Sequence, residues 1–193
     1  MKNFLRKQNK AFTLIETLVA ISIFSLSTLG LLVILSKGIS DTNYTKKKII
    51  AGYLAQEGIE YIRNMRDTFV LYDPVDSQTG WTAFNTKLTS ASCQASNGCY
   101  FDADNLFSIT PPMPMSKVTL TACGASCSSL KFDITTGKYG YTSGEDSGFI
   151  RKIKVTPVGS PVNEIKISST VYWAQGSGSY NTVFQENLFN WIE

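Results

Sequence analysis

Four cysteines, Cys93, Cys99, Cys123 and Cys127, are the side chains of this 193-residue sequence best suited to covalent or metal chemistry. An even number of cysteines in an exported domain reads as two disulfides, for which three pairings are possible. Local pairing, Cys93 with Cys99 and Cys123 with Cys127, is preferred because it closes two small loops. A zinc site is the competing reading. The C-x5-C and C-x3-C spacings are looser than the usual ligand pairs, and the sequence has no histidine to complete a set.

Acidic residues cluster at Asp102 and Asp104 and again at Glu145 and Asp146. Either cluster has the oxygen ligands that Ca2+ takes, but neither follows the spacing of a calcium-binding loop. Asp102 and Asp104 could also be imagined as a catalytic carboxylate pair. Nothing beside them supplies a nucleophile, a base or an oxyanion site, and the absence of histidine removes the commonest general acid–base group. No residue set supports an enzyme, and no cofactor is expected beyond a possible Ca2+.

The remaining unusual ionisable group is Glu16. It lies near the start of FTLIETLVAISIFSLSTLGLLVIL, residues 12–35, in which 16 of 24 residues are apolar and Glu16 alone is charged. At about 1.5 Å per residue this run spans roughly 36 Å, enough to cross a hydrocarbon layer of about 30 Å. A carboxylate in such a segment costs about 2.5–3.5 kcal/mol at mid-membrane. Either it snorkels to the headgroups or it pairs with a positive group of another chain. At about 4 Å and an effective dielectric of 20, such a pair gains roughly 4 kcal/mol, which matches the cost.

Basic residues followed by Ala11-Phe12-Thr13-Leu14-Ile15-Glu16 and an unbroken apolar helix resemble the class III signal of type IV pilins and pseudopilins. The resemblance implies that a membrane-bound prepilin peptidase cuts between Ala11 and Phe12 and methylates the new amine of Phe12. It also implies that Glu16 is the assembly residue, pairing with a neighbouring subunit's N-terminus in a fibre. Ala11 stands where the family usually has Gly, as its minor members tolerate, and the apolar helix lacks the Pro that kinks many major pilins. The stretch LAQEGIEYIRNMRD, residues 54–67, also resembles minor pilins and minor pseudopilins.

These residues need elements to carry them. Ile50, Leu54, Ile62 and Met65 mark a helical face, so the helix is expected to continue to about Arg66 and to pack its second half on a head. Gly52 and Gly58 each weaken such a helix by about 1 kcal/mol. Lys46, Lys47 and Lys48 read as a solvated face in preference to a lipid or nucleic-acid patch. Beyond residue 116, β-type runs at 117–121, 130–134, 139–142, 149–157, 165–173 and 181–191 alternate with turn signals. Ile165, Ile167, Ser169, Val171 and Trp173 should face a core.

The expected architecture is α+β, a type IV pilin-like fold with a long N-terminal helix on an antiparallel sheet. Residues 1–11 form the leader, 12–35 the transmembrane and assembly half of the helix, and 36–67 its amphipathic half. Residues 68–116 are an irregular connecting region, and 117–193 form the sheet. The resemblance implies a structural filament subunit, most like a minor pilin, with a minor pseudopilin of a type II secretion system as the alternative. Its implied partners are other pilin subunits, prepilin peptidase, the inner-membrane assembly platform and, before assembly, membrane lipid. The chain would be single-pass in the inner membrane with its head outside the cytoplasm, then part of an extracellular or periplasmic filament. A different class of reading is an uncut membrane-anchored module binding a ligand, DNA or a surface.

The net charge follows this division. The whole chain carries +3, but without residues 1–11 there are 14 basic and 15 acidic residues, a balance of −1.

Overall fold

The computed structural model describes residues 13–71, 73, 75–101 and 119–190. They form an α+β architecture, a long N-terminal helix followed by an antiparallel sheet, as in type IV pilins. The chain divides into two compact units, residues 1–45 and 46–193. Helix α1 (Leu14–Leu71) contributes to both.

In the first unit every apolar side chain from Leu14 to Leu35 is solvent-exposed. Such a surface is stable only when lipid or other apolar helices cover it. The helix is long and apolar enough to cross a membrane.

The second unit is built around strand β5 (Glu145–Val158). From Phe149 to Val158 one of its edges pairs with β6 (Glu164–Gln175), which pairs in turn with β7 (Gly178–Phe189). The other edge is shared. Strand β1 (Cys99–Phe101), joined to β2 (Leu120–Ala122), meets it at Ile153, and β3 (Ser129–Asp133), joined to β4 (Lys138–Gly140), meets its first half. All pairings are antiparallel.

Phe149, Arg151, Ile153 and Val155 of β5 and Ile165, Ile167, Ser169, Val171 and Trp173 of β6 are buried on one sheet face. The alternation in β6 is the one its sequence implies. Leu54, Ile62 and Met65 of α1 are buried as the helical spacing requires, and Ile59, Ile62 and Met65 join the same core as Ile153, Val155, Ile165 and Ile167.

Residues 68–116 are not merely an irregular connection. They contain the end of α1, a second helix α2 (Ser77–Ser90) and β1. Asp76 caps α2 by accepting from the Thr79 N–H at 2.6 Å. That hydrogen bond holds the Asp76 carboxyl below its usual range. Trp81, Phe84 and Leu88 of α2 enter the core at spacings of three and four, and Trp81 Nε1 donates to the Val162 carbonyl at 2.6 Å. An apolar anchor on one face thus overrides a helix composition rich in Ser, Thr and Gly.

Two glycines mark where elements approach most closely. A Cβ on Gly58 would overlap the Ser169 hydroxyl, so Gly58 lets α1 lie close on β6. A Cβ on Gly80 would sit 2.9 Å from Val70 Cα and closer still to the Phe69 carbonyl oxygen. Gly80→Ala should therefore gain about 1 kcal/mol of helix propensity and lose about 3 kcal/mol to overpacking against backbone. The net expected result is a fall in Tm of roughly 4–8 °C, read from tryptophan fluorescence. Gly52→Ala, with nothing within 4 Å of its Cβ, should instead raise Tm. A rise in both variants would show that α2 moves away from α1 without cost.

Candidate functional site: the assembly segment and the head

Helix α1 begins with a cap around the ionisable group. The Glu16 N–H donates to the Thr13 carbonyl at 3.1 Å and to Thr13 Oγ1 at 3.3 Å. Thr13 and Glu16 have the Thr-x-x-Glu spacing of a capping box, in which the Thr hydroxyl satisfies the third helical N–H and an acid three residues on faces the positive helix end. The cap fixes where the helix starts and so places Glu16 in its first turn. Ala11 and Phe12, the expected cleavage pair, lie outside the described residues.

Downstream, four hydroxyls in the apolar run donate to carbonyls within the helix. Thr17 donates to the Leu14 carbonyl, Ser22 to Leu18, Ser27 to Ile23 and Thr28 to Phe24, at 2.8–3.0 Å. Such back-bonding removes the penalty of carrying these groups into an apolar medium. Glu16 is left as the polar side chain of this run for which an external partner matters most.

In the head, Cys93 is bonded to Cys99 and Cys123 to Cys127. The first bridge is wholly buried and ties the turn after α2 to β1. The Cys93 carbonyl also accepts from the Val155 N–H at 2.9 Å, which docks that turn on β5. The second bridge closes a four-residue span whose start is held by Cys123 N–H donating to the Gly98 carbonyl at 2.9 Å.

Among the described residues, no group of three or more His, Cys, Asp or Glu side chains is placed to hold a metal. Asp146 is engaged by the Ser129 hydroxyl and the Gly148 N–H, which together hold its carboxyl below the usual range. Asp133 is held low by the Thr135 N–H, with Ser143 on its other oxygen. Asp102 and Asp104 lie outside the described residues. Lys47 is not part of a free basic patch, since its ammonium donates to the Ala174 carbonyl of β6 at 2.9 Å.

A group that the sequence reading missed lies at the centre of the head. Arg151 is 1% exposed, donates to Glu57 of α1 at 2.5 Å and to the Leu54 carbonyl at 3.3 Å, and lies 4.3 Å over the Phe101 ring. Burial pushes the nearby Tyr141 hydroxyl's pKa up, with the Arg151 charge pulling the other way. A second pair, Arg63 of α1 with Glu186 of β7 at 2.5 Å, bridges the same helix to the sheet's far strand.

Residues 6–32 match the prokaryotic N-terminal methylation motif. Together with the apolar α1 and the antiparallel head, this match supports a type IV pilin-like prepilin, a class of structural subunits processed by prepilin peptidase. No curated protein and no solved structure matches the chain.

Proposed function

We infer that this chain is the precursor of a minor pilin. Its leader, residues 1–11, is cut between Ala11 and Phe12, and Phe12 carries the methylated amine. The mature helix crosses the inner membrane once, with the head outside the cytoplasm, until the subunit is packed into a filament. There Glu16 takes the amine of a neighbouring subunit, and the head decorates the outside.

The observation that carries this reading is the capped start of α1 at Thr13, inside the methylation motif, with Glu16 in the first turn of a helix whose apolar side chains are exposed from Leu14 to Leu35. The two disulfides support the orientation, because such bridges persist in oxidising compartments. Ala11 before the cut and the 54–67 stretch favour a minor subunit.

The decisive measurement is the N-terminal mass of the protein from cells with and without prepilin peptidase. A mature chain starting at methylated Phe12, found only when the peptidase is present, is expected. An intact Met1 in both strains overturns the reading.

A further inference from the structure

Strands β4, β3 and β5 place two aromatic rings and an acid in one row. Tyr139 of β4 lies directly opposite Phe132 of β3, and Phe132 lies opposite Glu145 of β5. Residues opposite each other in an antiparallel pair share a sheet face, with Cβ atoms about 4.5–5.5 Å apart. The Phe132 and Tyr139 ring centroids are 4.9 Å apart at 47°, and Phe132 is 36% exposed. Lys131 and Lys138 stand in register with Asp146 and Asp133 on the other face.

A cavity of about 510 Å3 opens at this row, within the range of about 300–1,000 Å3 that small-molecule sites occupy. Phe132, Ile134, Tyr139, Asp133, Glu145 and Asp146 line it, whereas Lys131 and Lys138 do not. Gly144 fixes its rim: at φ 98° it lies so close on β3 that a Cβ there would overlap the Phe132 carbonyl. None of the three carboxylates forms an ion pair among the described residues. Asp133 and Asp146 are engaged by neutral donors, which hold their carboxyls below the usual range and so keep them ionised. The cavity therefore joins an aromatic wall to negative charge that no cation of the chain compensates.

We propose that this cavity binds a compact organic ammonium ion of the tetramethylammonium or choline kind. The cation sits against the Phe132 and Tyr139 rings, and Glu145 supplies the counter-charge. Aromatic rings attract a cation within about 6 Å of their centroids, and aromatic pockets are the means by which proteins recognise quaternary ammonium groups. The methyl groups of such an ion also bury against Ile134 and the rings. A divalent metal fits less well, because Ca2+ takes about 6–8 oxygen ligands and ring walls supply none. The inference is independent of cleavage and assembly, because every residue it uses lies on the head.

The test is an NMR titration of the amide resonances of the 193-residue chain in phosphatidylglycerol nanodiscs, whose lipid carries no ammonium group. Tetramethylammonium chloride should give saturable shifts at Phe132, Tyr139 and Glu145, whereas sodium chloride at equal ionic strength and uncharged tert-butanol should not. Tyr139→Leu and Glu145→Gln should each weaken binding about two- to five-fold, and the double variant about ten-fold. If Tyr139→Leu fails to fold, Glu145→Gln and Glu145→Lys decide the matter at an exposed position, the second with loss of measurable binding. Choline added to these discs and phosphatidylcholine placed in them distinguish a soluble ligand from a lipid headgroup, and saturable shifts with either agree with the proposal. Folded Glu145 variants that bind as wild type overturn it. So does equal binding of tert-butanol, which describes a merely apolar cleft, or displacement of tetramethylammonium by stoichiometric Ca2+, which describes a metal site.

Discussion

Glu16→Ala is expected to be cut before Phe12 as efficiently as wild type and then to enter filaments at least about ten-fold less well. The first half of this expectation follows from the cap. Thr13 holds the Glu16 backbone N–H, not its side chain, so truncating the side chain leaves the start of α1 in place for the peptidase. The second half follows from charge. A carboxylate in an apolar helix costs about 2.5–3.5 kcal/mol at mid-membrane, and pairing with a neighbour's amine at about 4 Å gains roughly 4 kcal/mol at an effective dielectric of 20. Removing the carboxylate stabilises the subunit in lipid and weakens it in the fibre, so both effects act against assembly. The measurement is the amount of each variant in sheared filaments relative to the processed pool in the membrane. Equal incorporation would mean that Glu16 snorkels to the headgroups and takes no partner. Glu16→Gln separates the two contributions, since it keeps hydrogen bonding and loses the ionic attraction, and it should fall between wild type and Ala.

The features legible in the sequence were those written in a period or a motif. The apolar run, Glu16 within it, the helical spacing of Leu54, Ile62 and Met65, and the alternation from Ile165 to Trp173 each repeat a geometric signal often enough to be read. Helix α2 was hidden because SQTGWTAFNTKLTS is poor in strong helix formers. Its signals were nevertheless present: Asp76 three residues before Thr79 as a cap, and Trp81, Phe84 and Leu88 on one face. Strand β1 could not be read. Three residues carry no periodicity, and their pairing depends on β5 at Ile153 and on the bridge from Cys93 to Cys99. Gly52 and Gly58 look alike as helix-weakening residues in the sequence, and only the neighbouring atoms reveal that Gly58 permits a close approach to Ser169 while a Cβ on Gly52 meets nothing within 4 Å.

Arg151 was in part legible, because it stands in phase with Phe149, Ile153 and Val155 on the buried face of β5, where a charge demands a partner. The partner, Glu57, lies 94 residues earlier and could not be assigned from the sequence. The two ends of this pair differ in burial: the Arg151 side chain is 1% exposed and the Glu57 side chain 43%. That asymmetry gives an expected result of unequal variants. Glu57→Ala leaves a buried guanidinium with the Leu54 carbonyl, the Phe101 ring and the Tyr141 hydroxyl but no carboxylate among the described residues, and should cost about 3 kcal/mol, a fall of roughly 6–12 °C in Tm. Arg151→Met removes the buried charge, fills most of its volume, and lets the exposed Glu57 return to water. It should cost only about 1 kcal/mol, since apolar residues often replace buried ion pairs with little loss. The double variant should resemble Arg151→Met alone, which makes the two changes strongly non-additive. Fluorescence of the buried Trp81 and Trp173 reports unfolding of the head itself. A larger loss for Arg151→Met than for Glu57→Ala would show that Arg151 acts through packing on Phe101 and that its charge is incidental to joining α1 to the sheet.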